Sequence, residues 1–479
     1  MTHVAVIGLG LASYGVCKYL LTQDDLTVDI YDIAAQADSS GIDERHLPNS
    51  APYQGSYFLY GANDKRTLRT INTQRMCSSH ASAGYSLVYS GSAMLPFANE
   101  LTNWPNESLP SSSDIAESLA GISTTSLCGP RSSAFPIDHL ASYPPSKSYS
   151  YCFKSRLLQD SPTVTTPFTA TSFFRSLSSN NKYSILSGIE VLRIEKCDKN
   201  YSLSCFELAT ACRYDTGAIY SAVFIAAGCI NTTAIVDASL NCQASAPRRY
   251  SIISCPFHII PTISLGFLGS LASPPIHKGP RYFIEHSSSL TSGLNSHTQI
   301  SSIRSEMKDL LFSATQASGT LSRLVDLLFS PFSYSLSVFH STLGAQSSLT
   351  ARLSFDNEVP VVTINESKNK TSLKAYLSIY LALLTTFFRH YQLPLPWLPL
   401  LTNRLKGNSL GGWHFGGTIP FSIHPQESEC KPNGELPSLP SVFVCDTSAF
   451  PSIPGSTVAA LTIANAYRIA RSYCNTRLG

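Results

Sequence analysis

The chain has 479 residues, long enough for two or three structural units and a sizeable core. Only 14% of residues are charged, the formal net charge is +3, and no Lys/Arg cluster stands out. That excludes the electrostatic footprint of a nucleic-acid or anionic-membrane binder and leaves a small-molecule partner. The 13 cysteines are scattered with no C-x-x-C pair, so neither a zinc site nor a disulfide framework is predicted; no metal is expected, and reduced thiols in the cytoplasm are.

The first stretch, "HVAVIGLGLASYGVCKYLL", is an apolar run, a glycine turn and apolar residues at helical spacing, which predicts strand, turn and helix. Because Val4 to Gly8 already reads as a buried strand, no targeting leader is expected. A second strand, "LTVDIYD", ends on Asp32, 22 residues after Gly10. In a dinucleotide-binding unit the first glycine permits a tight turn and the second lets backbone amides approach a pyrophosphate. The helix start then supplies partial positive charge, and an acid closing the second strand accepts ribose hydroxyls. Gly8, Gly10 and Asp32 fit those roles, and Ser13 takes the third glycine's place, small enough for close helix packing. This turn alone does not choose between NAD and FAD.

Further on, "SHASAGYSLVYSGSAMLPF" spans residues 79–97 and "WPNESL" begins at Trp104. A Ser- and Pro-rich stretch after 110 predicts loops over a pocket. "YSILSGIEVLRIEKC" and "SCFELATAC" predict a small antiparallel layer, and "TGAIYSAVFIAAGCINTTAIV" predicts a strand, a small-residue turn at Ala227 and Gly228, and a helix start. Between 241 and 404, "YSIISCPFHIIPTIS", "PRYFIEH", "FSYSLSVFHS", "ARLSFDN" and "PVVTIN" read as strands of an open antiparallel sheet, while "HTQISSIRSEMKDLLFSATQ" and 368–391 read as helices behind it. The longest apolar run, Ala375 to Phe388, holds 14 residues, below the roughly 18 needed to span a bilayer, so a buried core helix is expected. "WHFGGTIPF" follows at 413–421, and "SVFVCDTSAFPSIPGSTVAALTIANAYRIA" at 441–470 reads as strand, turn and helix.

Taken together, 79–97, 216–236, 413–421 and 441–470 resemble segments of the glucose-methanol-choline (GMC) type FAD-dependent oxidoreductases, in particular the divergent bacterial branch of polysaccharide and natural-product biosynthesis. Gly84, Ser86, Tyr89, Gly91 and Pro96 match the segment that lies against the flavin ring in that family. Val88 stands where some members carry the histidine that attaches the flavin, which implies non-covalent FAD. Val444, Asp446, Ser448, Pro451, Gly455, Thr462, Ile463, Ala464, Ala466 and Arg468 match the closing strand, flavin turn and helix. Ser456 and Thr457 replace the family's x-Asn; Thr457 offers a hydroxyl but cannot act as a general base near pH 7.

His414, Gly417 and Thr418 match H-x-x-G-T, 32 residues before Asp446, which implies that His414 is the catalytic base. The resemblance implies an α/β fold with a two-dinucleotide-binding, Rossmann-like FAD domain built on a parallel sheet, plus a substrate domain with an antiparallel sheet backed by helices. Their expected extents are 1–110, 185–240 and 405–479 for the FAD domain, and 111–184 with 241–404 for the substrate domain. The implied activity is oxidation of an alcohol C–OH group of a small neutral, sugar-like or biosynthetic intermediate, with dioxygen, a quinone or another electron acceptor. Two alternatives stay open: a non-redox flavin enzyme catalysing isomerisation or elimination, and a degenerate flavoprotein acting as a binding or scaffold partner.

Overall fold

The computed structural model describes residues 1–34, 69–71, 84–87, 95–96, 98–126, 149–154, 156–159, 168–177, 180–241, 248–254, 257–264, 282–288, 294–302, 334–340, 349–356, 359–364, 392–394, 414–455 and 457–478. In chain order, Thr2–Ile7 is β1, Leu11–Leu20 is α1 and Leu26–Asp32 is β2. Ser112–Leu119 is α2 and Ala170–Leu177 is α3. Next come β3 (Tyr183–Ser187), β4 (Ile189–Cys197), β5 (Asn200–Glu207), β6 (Cys212–Asp215), β7 (Ala222–Ile225) and α4 (Cys229–Asn241). Tyr250–Ser254 is β8, Leu349–Asp356 β9, Val359–Ile364 β10, Phe415–Gly416 β11, Glu435–Leu436 β12, Leu439–Val444 β13 and Ala459–Leu478 α5.

The central sheet has the order β12-β13-β7-β1-β2-β3, with every pairing parallel except that of β12. Strands buried on both faces need continuous apolar runs, and β1 and β7 supply them: Val4, Val6, Val223, Phe224 and Ile225 are fully buried. From β1 the chain winds outward in both directions, to β2 on one side and β7 on the other. An open α/β sheet forms a ligand crevice at such a reversal, outside the carboxyl ends of the strands.

Helices α1 and α5 cross on one face of this sheet. Gly15 makes the approach possible, because a Cβ there would collide with the Ile463 carbonyl oxygen. Ala466 of α5 lies against Gly15, and Ala464 and Ala470 of the same helix are likewise small and fully buried. Phe224 of β7 stacks on Phe443 of β13 at 5.1 Å, and Tyr473 of α5 meets both rings edge-on. Aromatic burial of this kind is worth about 1.5–3 kcal/mol per Phe-sized side chain.

Two helices from the stretch assigned to the substrate side also brace this layer, and the first of them stands at 112–119 where loops over a pocket were expected. On α2, buried Ile115 and Leu119 face inward, Ser111 and Asp114 form a capping box, and Asp114 pairs with Arg471 of α5 at 2.9 Å. Ahead of and within α3, Phe168 and Phe173 sit edge-on to Tyr14 of α1 at 5.1 and 4.7 Å. Amphipathic helices bury their apolar stripe wherever a surface is offered, and here α1 and α5 offer it.

The small antiparallel layer is the sheet β6-β5-β4. "YSILS", expected within it, instead extends the parallel sheet as β3, with Tyr183 opposite Val28. Residues from 241 onward form two sheets where one was expected. One has the order β11-β8-β9-β10 followed by Arg69–Ile71, antiparallel except at the last pair. The other is fully antiparallel and runs 392–394, 257–264, 334–340, 294–302, 282–288, 149–154. The helix expected from His297 is corrected: Leu294–Ser302 is a strand hydrogen-bonded on both edges, tertiary pairing having overridden a weak helical pattern. The rest of that helix and the helix expected over 368–391 lie outside the described residues. No helix among the described residues is long and apolar enough to cross a membrane.

Candidate active site

The carboxyl end of β1 leads into a turn that only glycine fits. Gly8 has φ +105°, donates its amide to the Tyr31 carbonyl at 2.7 Å, and would place a Cβ 2.5 Å from the Ala226 oxygen. The ends of β1 and β7 therefore touch at this point. Gly10 stands in an extended conformation at the start of α1, no side chain caps the helix, and its first turn carries no acid. Those amides, with the positive end of the helix dipole, are left for an anion. Ser13 is fully buried in that first turn, and its Oγ has no hydrogen-bond partner among the described residues.

Asp32, at the carboxyl end of β2, is 5% exposed. The Ala34 amide donates to its Oδ1 at 2.7 Å and the Leu9 amide supports it from the glycine turn. Burial nevertheless outweighs these bonds and pushes its pKa up to about 7.

Asp446, just past β13, ties two turns together. Its Oδ2 accepts the Gly228 amide at 2.8 Å and the Thr232 hydroxyl; its Oδ1 accepts the Ser448 amide at 2.9 Å and hydroxyl at 2.6 Å. Two donors on each oxygen are a full complement, so the carboxylate shapes the turns after β7 and β13. Burial raises its pKa, and the hydrogen bonds from Ser448, Thr232 and Gly228 oppose the rise.

His414, half-buried, immediately precedes β11. One edge of β11 pairs with β8, Phe415 opposite Ser254 and Gly416 opposite Ile253. The other edge is held by the turn after β13: Thr447 Oγ1 donates to the Phe415 carbonyl at 2.9 Å, and the Gly417, Ile419 and Phe421 amides donate to Thr447, Ser448 and Ala449 carbonyls, each at 2.9 Å. Gly416 has no room for a side chain against the Thr447 carbonyl. Beneath this strand, Thr233 of α4 donates to Thr418 Oγ1 at 2.7 Å, beside the buried Cys229, whose thiol burial pushes up to about 12. His414 thus stands where an antiparallel sheet joins the crevice edge of the parallel sheet.

Of the remaining expected residues, Gly84 and the buried Ser86 lie in a short helical turn over 84–87. Gly455 closes the turn before α5 with its amide on Glu100 Oε1 at 2.9 Å, and Thr457 is 4% exposed two residues ahead of that helix. Val88, Ser456, Tyr89, Gly91 and Trp413 lie outside the described residues. Sequence reasoning missed Gly15, which stands two residues past Ser13, and Glu100, whose contact is 355 residues away and leaves no local signal. No group of three His, Cys, Asp or Glu side chains among the described residues could hold a metal ion.

Crossing strands, uncapped helix and acid-terminated β2 define an α/β fold of the dinucleotide-binding type joined to antiparallel sheets. Comparison with solved structures narrows the architecture. Over 99% of both chains it matches pyridoxine 4-oxidase from Mesorbium loti, with TM-score 0.64 and 12% identity. A fungal aryl-alcohol oxidase matches over 99% of both chains with TM-score 0.61 and 12% identity, and an FAD-dependent oxidoreductase from Chaetomium thermophilum does so with TM-score 0.61 and 11% identity. The chain therefore has the fold of GMC-type FAD-dependent oxidoreductases. No family model matches the sequence, and no curated protein matches it.

Proposed function

We propose that the chain is an FAD-dependent oxidoreductase that oxidises an alcohol C–OH group of a small neutral, sugar-like or biosynthetic intermediate, with His414 as base. The observation that carries this reading is the convergence on one sheet edge of the Gly8 turn, Asp32, the Gly228 turn and the strand that begins after His414, joined through Asp446 and Thr447. The fold of oxidases acting on alcohols supports it.

The residues suit such a cofactor. Gly8 lets the ends of β1 and β7 close on each other beside the turn, and α1 leaves its first amides uncapped with the Ser13 hydroxyl buried beside them. In this reading Asp32 accepts the ribose hydroxyls, the start of α1 with Ser13 holds the diphosphate, and Gly84, Ser86, Ala227, Gly228, Gly455, Ser456 and Thr457 line the rest, with Asp446 bracing the turns. Bound flavin supplies the hydride acceptor. The alcohol oxygen must lose a proton as its carbon loses hydride, and a neutral imidazole at His414 takes that proton near neutral pH. Thr457 orients the substrate hydroxyl as a hydrogen-bond partner. Residues 1–110, 185–240 and 405–479 form the flavin unit, braced by α2, α3 and the start of β3, and the rest of 111–184 with 241–404 the substrate unit; Val88 leaves the cofactor non-covalent. Dioxygen, a quinone or another acceptor returns the enzyme to its starting state.

The test is the visible spectrum of the purified protein under a panel of alcohols. Flavin absorbance that bleaches anaerobically with one of them is expected. A colourless protein that takes up no added FAD overturns the reading.

A further inference from the structure

We infer that Glu100 is a positioning residue for the flavin ring, acting through the Gly455 amide; this rests on the flavin reading above. The turn from Phe450 to Gly455, which leads into α5, contains Pro451 and Pro454 and so has few amides with which to fix itself. Glu100 fixes it at two points. Its Oε1 accepts the Gly455 amide at 2.9 Å, and its backbone carbonyl accepts the Ser452 hydroxyl at 2.9 Å. Trp104 Nε1 donates to the same Ser452 oxygen at 3.0 Å, and the indole lies against Phe450 at 4.6 Å and Phe421 at 5.7 Å.

Glu100 is 7% exposed and Ser452 3%. Burying a carboxylate is costly, and a turn that needed only packing would be cheaper to hold with an apolar side chain. What the carboxylate adds is direction: it sets where the backbone stands two residues ahead of Thr457 and four ahead of α5. In the flavin reading, that helix start would offer its amides and positive dipole end to the ring. None of the sequence motifs includes Glu100, because the segment 98–104 and the turn it holds are joined only by the fold.

Three variants test the inference. Glu100→Ala removes the acceptor, Glu100→Asp keeps the charge but withdraws it by one methylene, and Glu100→Gln keeps an oxygen at the same reach. Glu100→Ala and Glu100→Asp are expected to raise the FAD dissociation constant about tenfold and to alter the visible circular dichroism of the flavin that remains bound. Glu100→Gln is expected to restore both to within about twofold of wild type. Should Glu100→Ala fail to fold, the Asp and Gln variants carry the comparison. Reduced thermal stability with unchanged dissociation constant and unchanged flavin dichroism, or a Gln variant as weak as Ala, overturns the inference. A wild-type chain that takes up no FAD instead brings down the flavin reading and this one with it.

Discussion

Replacing Asp32 by Asn should make the FAD-free protein more stable and the FAD complex weaker at once. A carboxyl moved from 3.8 to about 7 by burial corresponds, at about 1.36 kcal/mol per pH unit, to about 4 kcal/mol at pH values above both. The sign follows from the direction. Below 3.8 the group is protonated in folded and unfolded chains alike and its contribution is fully present; as pH rises through about 7 that stability is lost, because the folded chain must then carry a buried charge. Asn never pays the ionisation cost. It keeps one oxygen for the Ala34 amide and gives up the second acceptor, a loss of about 1 kcal/mol. The apoprotein of Asp32→Asn is therefore expected to be about 3 kcal/mol more stable than wild type at pH 8, several degrees in melting temperature, with the two converging near pH 4. Binding moves the other way. Charge-assisted hydrogen bonds to ribose hydroxyls are worth about 1.5–3 kcal/mol each, so the dissociation constant for FAD should rise at least about tenfold. Thermal unfolding of the apoprotein from pH 4.5 to 8.5 and an FAD titration read out both halves. Parallel pH profiles for wild type and variant would refute the reasoning, since they would mean that Asp32 does not ionise against a burial cost.

His414→Ala should retain flavin absorbance but slow anaerobic reduction by the substrate alcohol about 10²-fold or more in stopped flow, the share a positioned base contributes. Gly15→Ala should lower stability by about 1–3 kcal/mol in urea, because its methyl group meets the Ile463 carbonyl and pushes α1 from α5. Thr233→Val should cost about 1–3 kcal/mol by leaving the Thr418 hydroxyl without its 2.7 Å donor. It should also slow substrate oxidation more than it weakens FAD, since Thr418 lies four residues past His414.

The parts of the site legible in the sequence are those whose geometry is local. Gly8, Gly10 and Asp32 lie within one strand-turn-helix-strand unit, where backbone conformation and spacing together dictate residue type. Asp446 could be found from its motif, yet its work of joining the turns at Gly228 and Ser448 could not, because that depends on β13 lying beside β7. Gly15 was obscured by Ser13, which satisfies the size requirement two residues too early. Glu100 and Thr233 act across 355 and 185 residues of chain, and no local pattern marks either. At 297–302 the local pattern pointed to helix and was overruled by neighbours on both edges, the ordinary fate of a weakly amphipathic stretch between two strands.

The crossing of α1 and α5 has a consequence for how this protein is made. Gly15 and its partner Ile463 are separated by nearly the whole length of the chain. On the ribosome, at about 5–20 residues per second, the nascent β1 and α1 wait roughly 20–90 s for the segment that covers them. Throughout that interval an apolar surface waits for the helix that covers it. The glycine turn that would receive the adenosine half of a nucleotide is translated long before α5 and becomes a site only after it.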